Sequence, residues 1–180
     1  LLALNLPSVK NFGEIEFWFA MIKIVAICAL IIVGAIMVAT SFTTPSGAHA
    51  QVANLWNDGG FFPNGATGFL GAFQIAVFAF MGSELVGTTA AETQNPTVTL
   101  PKAINSVPVR ILIFYVGALV VILMVNPWRE IDPAKSPFVT MFTLAGIAIA
   151  AHIVNIVVLT SATSSANSGI FSTSRMVYGL

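Results

Sequence analysis

Residues 69–91 read Phe69-Leu70-Gly71-Ala72-Phe73-Gln74-Ile75-Ala76-Val77-Phe78-Ala79-Phe80-Met81-Gly82-Ser83-Glu84-Leu85-Val86-Gly87-Thr88-Thr89-Ala90-Ala91. A stretch of this length and apolarity suits a membrane span, which needs roughly 20 residues. It holds one charge, Glu84, directly after Gly82-Ser83. Glycine costs about 1 kcal/mol relative to alanine inside a helix. Serine competes for backbone hydrogen bonds, and a carboxylate in hydrocarbon needs a partner or water. Together these features predict a helix broken near 80–84. Freed backbone at membrane depth is tolerated only where it is buried or lines a cavity. Discontinuous helices of that kind bind ions and substrates in secondary transporters. Close helix packing at Gly82, with Glu84 capping a neighbouring backbone, is the structural alternative.

The composition around this stretch agrees with a membrane setting. Hydrophobic residues make up 57% of the 180 and charged residues 8%. Soluble domains carry about 25% charge. Seven Lys/Arg and seven Asp/Glu cannot cover a water-facing surface of this length, and the apolar content excludes disorder. A net charge of zero leaves no basic face for nucleic acid. A single cysteine, Cys28, excludes a disulfide framework or multi-cysteine metal site. No Ser-His-Asp set, P-loop or Gly-x-Gly-x-x-Gly pattern supports an enzyme, and no cofactor is expected.

Three further spans flank the first. Residues 17–39 carry only Lys23, with Glu14, Glu16 and Trp18 at the start, where Trp suits the interface. Residues 111–125 are wholly apolar and extend back to Pro101, with a bend at Pro108. The last runs from 138 to 178, with Pro137 and Gly146 suggesting an entry turn before a long tilted helix. The expectation is an all-α polytopic membrane chain forming a single unit, with helices at about 15–40, 68–93, 101–126 and 138–178. Lys10, Lys102, Arg110 and Arg175 fall on one side and Arg129 and Lys135 on the other. The positive-inside rule places the first group in the cytoplasm. The start Leu1-Leu2-Ala3-Leu4 lacks Met, and Tyr178-Gly179-Leu180 ends inside a helical pattern, so an internal piece of a longer protein is expected.

Function is sought where a span breaks membrane rules. Lys23 can snorkel to headgroups, or it can sit in a polar cavity and exchange a proton. The run Thr160-Ser161-Ala162-Thr163-Ser164-Ser165-Ala166-Asn167-Ser168 supplies small residues for close helix approach. Ser164, Asn167 and Ser168 are also candidates to line a polar path. His152, among alanines, is expected to be a buried, hydrogen-bonded ring. It and His49 are too few for a metal site.

Three stretches carry a family resemblance. Phe78-Ala79-Phe80-Met81-Gly82-Ser83-Glu84-Leu85-Val86-Gly87, with Ala90-Ala91-Glu92, Asn95-Pro96 and Pro101-Lys102-Ala103-Ile104, resembles the sixth helix and following loop of bacterial amino acid permeases. These belong to the amino acid–polyamine–organocation superfamily. Phe17-Trp18-Phe19-Ala20 with Ile22-Lys23-Ile24 resembles their fifth helix. Ser164-Ser165-Ala166-Asn167-Ser168-Gly169 with Ser172-Thr173-Ser174-Arg175 resembles their eighth. Within the superfamily, the resemblance points to permeases of D-serine, D-alanine and glycine.

The resemblance implies a fragment, helices five to eight, of an inverted-repeat (LeuT-like) transporter, with the remaining helices as partners. It implies that backbone carbonyls at Phe78, Ala79 and Met81 receive the substrate ammonium. Phe80 would be an aromatic wall, Gly82 would keep the break open, and Glu84 would anchor the unwound segment and take part in proton handling. Lys23 would be the proton-coupling residue, facing helix eight near Ser168. The implied activity is proton-coupled symport of small neutral amino acids across the bacterial plasma membrane, driven by the proton gradient. A permease for aromatic or basic amino acids, a non-transporting membrane scaffold and a membrane enzyme are the rival readings.

Overall fold

The computed structural model describes residues 9–80, 93 and 95–178. Helix α1 is Val9–Ala39, α2 is Gly65–Ala79 and α3 is Pro96–Arg110. The last continues through a π-helical section, Ile111–Gly117, into α4, Ala118–Val125. Helices α5, Pro137–Leu144, and α6, Ala148–Tyr178, complete the set, with short 3-10 turns at Val52–Leu55 and Trp128–Glu130. Helix α1 is the hub and packs against α4, α5 and α6, while α5 lies along α6.

Helix α1 is apolar nearly all round, so composition does not choose its inner face. The packing does: Leu30, Gly34 and Met37 are buried, while Val25, Ile32 and Ile36 are exposed. Gly34 marks the crossing with α4. A Cβ built there would lie 2.0 Å from Val121 Cγ1 and 2.9 Å from Met141 Cε. A membrane offers little hydrophobic drive between helices, so close approach over small residues supplies the contact. Leu30, Met37, Ala118, Ile122, Val125, Met141 and Phe142 fill the space around that crossing.

Element ends differ from the expected ones for local reasons. Helix α1 is already helical at Val9, the first described residue, so it covers more than the expected start near 15. It stops in a Schellman motif: the N–H groups of Ser41 and Phe42 donate to the carbonyls of Val38 and Met37. Ser41 takes the left-handed position at φ +48°. Helix α2 spans Gly65–Ala79, so it starts three residues before the expected 68. Helix α3 starts at Pro96, not Pro101. Asn95 turns the chain at φ +51°, and proline fits a first helical turn. Pro108 lacks the N–H of a regular turn and crowds the carbonyl four residues back. The expected bend is expressed as the π-helical section that begins three residues later.

The entry turn expected between Pro137 and Gly146 is a short helix, α5, so the span 138–178 is two helices. Gly146, at φ +76°, ends α5 with a second Schellman pattern: Gly146 donates to Thr143 and Ile147 to Phe142.

Helices Asn11–Ala39 and Pro96–Val125 are each long and apolar enough to cross a membrane. The segment before α2 folds back onto the end of α4. Buried Asn54 donates to the carbonyls of His49 and Met124, both at 2.8 Å, and the Gln51 N–H donates to Met124 at 3.0 Å. Met124 lies in the last turn of α4, where carbonyls lack helical partners. A loop side chain therefore caps the helix.

Candidate functional site

Glu16 and Lys23 are seven residues apart on α1. Two turns of 3.6 residues place them on one face. Ser164 and Asn167 are three apart on α6 and also share a face. Where the two helices meet, these four side chains join. Lys23 Nζ donates to Ser164 Oγ at 2.9 Å. Ser164 Oγ donates to Glu16 Oε2 at 2.5 Å, and Asn167 Nδ2 donates to Glu16 Oε1 at 2.9 Å. Ser164 is 2% exposed and Asn167 is fully buried.

The order of contacts along the helices is antiparallel. Phe12 of α1 stacks on Phe171 of α6, with centroids 4.2 Å apart. Glu16 then meets Asn167 and Ser164, and Lys23 reaches back to Ser164. Side chains of a helix lean toward its N-terminus, so the lysine stem points toward the carboxylate. The aromatic stack closes one end of the polar seam. The apolar core around Leu30 closes the other.

A serine hydroxyl has one proton and two lone pairs. Its proton goes to Glu16, so its oxygen is free to accept from the ammonium. The chain of donors runs in one direction, from Lys23 through Ser164 to Glu16. Each side chain is used in the sense its chemistry allows. Buried polar groups inside an apolar exterior invert the soluble-protein pattern and suit a bilayer.

The expected site residues fall in separate places. Lys23 meets the polar run of α6, with the hydrogen bond at Ser164, one turn from the half-buried Ser168. Phe78 and Ala79 form the last turn of α2, followed by Phe80. Phe80 stacks on Tyr115 of the π-helical section, with centroids 5.6 Å apart and planes at 21°. Among the described residues no hydrogen bond or ion pair joins this aromatic pair to the Lys23 seam. Met81, Gly82 and Glu84 lie outside the described residues. His152 is exposed rather than buried, because it sits off the stripe of Ala150 and Val154 that faces the core. From the sequence, Glu16 reads only as a marker of the membrane boundary, and the structure adds it to the site. Its seven-residue spacing from Lys23 was the available signal.

Comparison with known proteins places the sequence in a family. The amino acid permease family model matches residues 1–180. The chain is 64% identical over 180 residues to the D-serine/D-alanine/glycine transporter of Escherichia coli (strain K12), covering 100% of this chain and 38% of that protein. It is 58% identical over 180 residues to the amino-acid permease AapA of Bacillus subtilis, covering 100% and 39%. It is 49% identical over 178 residues to the aromatic amino acid transport protein AroP of Escherichia coli O6:H1, covering 99% and 38%. The chain thus spans well under half the length of these relatives. No solved structure matches it. With two helices long and apolar enough to cross a membrane and the family model matching from Leu1 to Leu180, this chain belongs to the amino acid permease family of polytopic membrane proteins.

Proposed function

We propose that this chain supplies helices five to eight of a secondary transporter in the bacterial plasma membrane. It takes up small neutral amino acids (D-alanine, D-serine and glycine) together with protons. The observation that carries the substrate class is the 64% identity to a transporter named for those three molecules, against 49% to one named for aromatic amino acids.

The Lys23 seam supports the coupling. An ammonium held between two membrane helices changes its hydrogen bonding when it loses its proton. Its protonation therefore biases how the helices sit. Substrate binds at the end of α2, with Phe78 and Ala79 carbonyls and the Phe80 ring facing a small zwitterion; the family resemblance adds the Met81 carbonyl as a further acceptor and Gly82 as the residue that leaves room for it. Glu84 anchors that segment and shares in proton handling. Lys23 carries the proton, and Ser168 lines the facing side of α6. The proton gradient supplies the energy, and no cofactor enters.

The test is uptake by the full-length protein reconstituted in proteoliposomes. Labelled D-alanine, D-serine, glycine and phenylalanine are offered with and without an inward proton gradient. Gradient-dependent accumulation of the first three is expected. Preference for phenylalanine would replace the substrate assignment, gradient-independent uptake would remove the coupling, and no uptake of any amino acid would favour the scaffold reading.

A further inference from the structure

Glu16 has no part in the reading above, yet it accepts two hydrogen bonds from α6, those of Ser164 and Asn167. Its carboxylate and the Lys23 ammonium face each other across one hydroxyl, that of Ser164. Ser164 and Asn167 are shielded from solvent, so charges in this seam are screened far less than surface charges. Burying a polar tie in lipid is costly unless every partner is satisfied. A purely mechanical link between the helices needs no charge, and an amide or hydroxyl would serve. A carboxylate placed two hydrogen bonds from an ammonium does more. It supplies the opposite charge across one hydroxyl, and it takes Ser164's only proton, which leaves that oxygen as an acceptor for Lys23.

We propose that Glu16 is a positioning residue for proton coupling, the counter-charge that makes the α1–α6 contact depend on whether Lys23 is protonated. This rests on the proton-coupled reading. With Lys23 charged, the seam is complete and α1 stays against α6. When the ammonium gives its proton to water, the charge that matched Glu16 is gone and the contact weakens. The lysine nitrogen keeps its electron pair, the water takes the proton, and Glu16 and Ser164 are chemically unchanged. The helix contact thus reports one proton gained or lost. Among the described charged side chains, Glu16 and Lys23 are the two that reach α6 here. Helices α4 and α5 bring Val121, Ile122 and Met141, which carry no charge.

The test compares Glu16→Gln with wild type in full-length, reconstituted protein. It uses D-alanine in two assays on the same vesicles, proton-driven accumulation and counterflow exchange without a gradient. Charge-assisted hydrogen bonds of this kind correspond to roughly tenfold or more in an equilibrium. Accumulation is therefore expected to fall at least about tenfold, with exchange kept within about twofold. Glu16→Asp, which restores the charge, should recover part of the accumulation. A structural tie alone would lower accumulation and exchange together, with no rescue by Asp, and that result overturns the role. If Glu16→Gln does not fold, Ser164→Ala keeps both charges and removes the bridge; the same split between the assays supports the role and its absence overturns it. Wild-type accumulation with no proton influx overturns the coupling reading and this role together. Proton-coupled wild type with an unchanged Glu16→Gln variant overturns this role alone.

Discussion

Helix α1 makes two unlike contacts along one face. Its first half meets α6 through Glu16, Lys23, Ser164 and Asn167. Its second half meets α4 and α5 through Leu30, Gly34 and Met37, with Val121 and Met141 opposite. The apolar half depends on shape. Gly34 lets two backbones approach, and nothing there changes with pH. The polar half depends on charge and on the direction of each hydrogen bond. A transporter must hold one contact firm while another can let go. We assign the first task to the Gly34 crossing and the second to the Glu16 seam.

The comparison breaks most sharply at Gly34. A leucine there has no room, and the expected result is loss of folded protein, read as absence of a monodisperse peak in detergent. Gly34→Ala should cost about 1–3 kcal/mol, the usual range for overpacking. The stiff β-branched Val121 takes the clash, whereas Met141 can flex. Val121→Ala should therefore restore most of the thermal stability lost in Gly34→Ala, and failure to do so would misplace the crossing.

On the polar half, Asn167→Ala removes a hydrogen bond to a carboxylate. Intramembrane hydrogen bonds contribute about 1–2 kcal/mol at most, so the melting temperature should fall by less than in Gly34→Ala. An equal or larger loss would mean that the polar half is also a rigid lock. Asn54→Ala opens the loop that caps α4, away from both halves of the α1 face. About 1 kcal/mol is expected from the lost bonds to His49 and Met124, with transport coupling unaffected. The smallest effect is a gain. Ser41 holds a left-handed conformation that costs a side chain roughly 1 kcal/mol. Ser41→Gly should raise the melting temperature slightly and leave both contacts of α1 as they are.

Much of this was legible in the sequence. The membrane class followed from fourteen charges in 180 residues. The α5–α6 break followed from Gly146, and the distortion of the third span from Pro108. Lys23 stood out as a charge inside a span. Other features depend on partners far along the chain. Glu16 looks like any acidic residue near an interface until α6, 148 residues later, supplies Ser164. The inner face of α1 is hidden because nearly every position is apolar, and only its packing against Val121 and Met141 selects it. Asn54 reads as a loop residue, and its role appears only when the carbonyl of Met124 is brought to it. The broken-helix residues Met81, Gly82 and Glu84 remain expectations drawn from their types and order.

The most direct measurement of the central claim is proton flux, recorded with a pH-sensitive dye, when D-alanine is added to vesicles holding wild-type or Lys23→Ala protein. A D-alanine-triggered proton influx is expected in wild type. In Lys23→Ala no such influx is expected, although labelled D-alanine still exchanges across the membrane. Proton influx of wild-type size in Lys23→Ala would contradict the coupling role of Lys23.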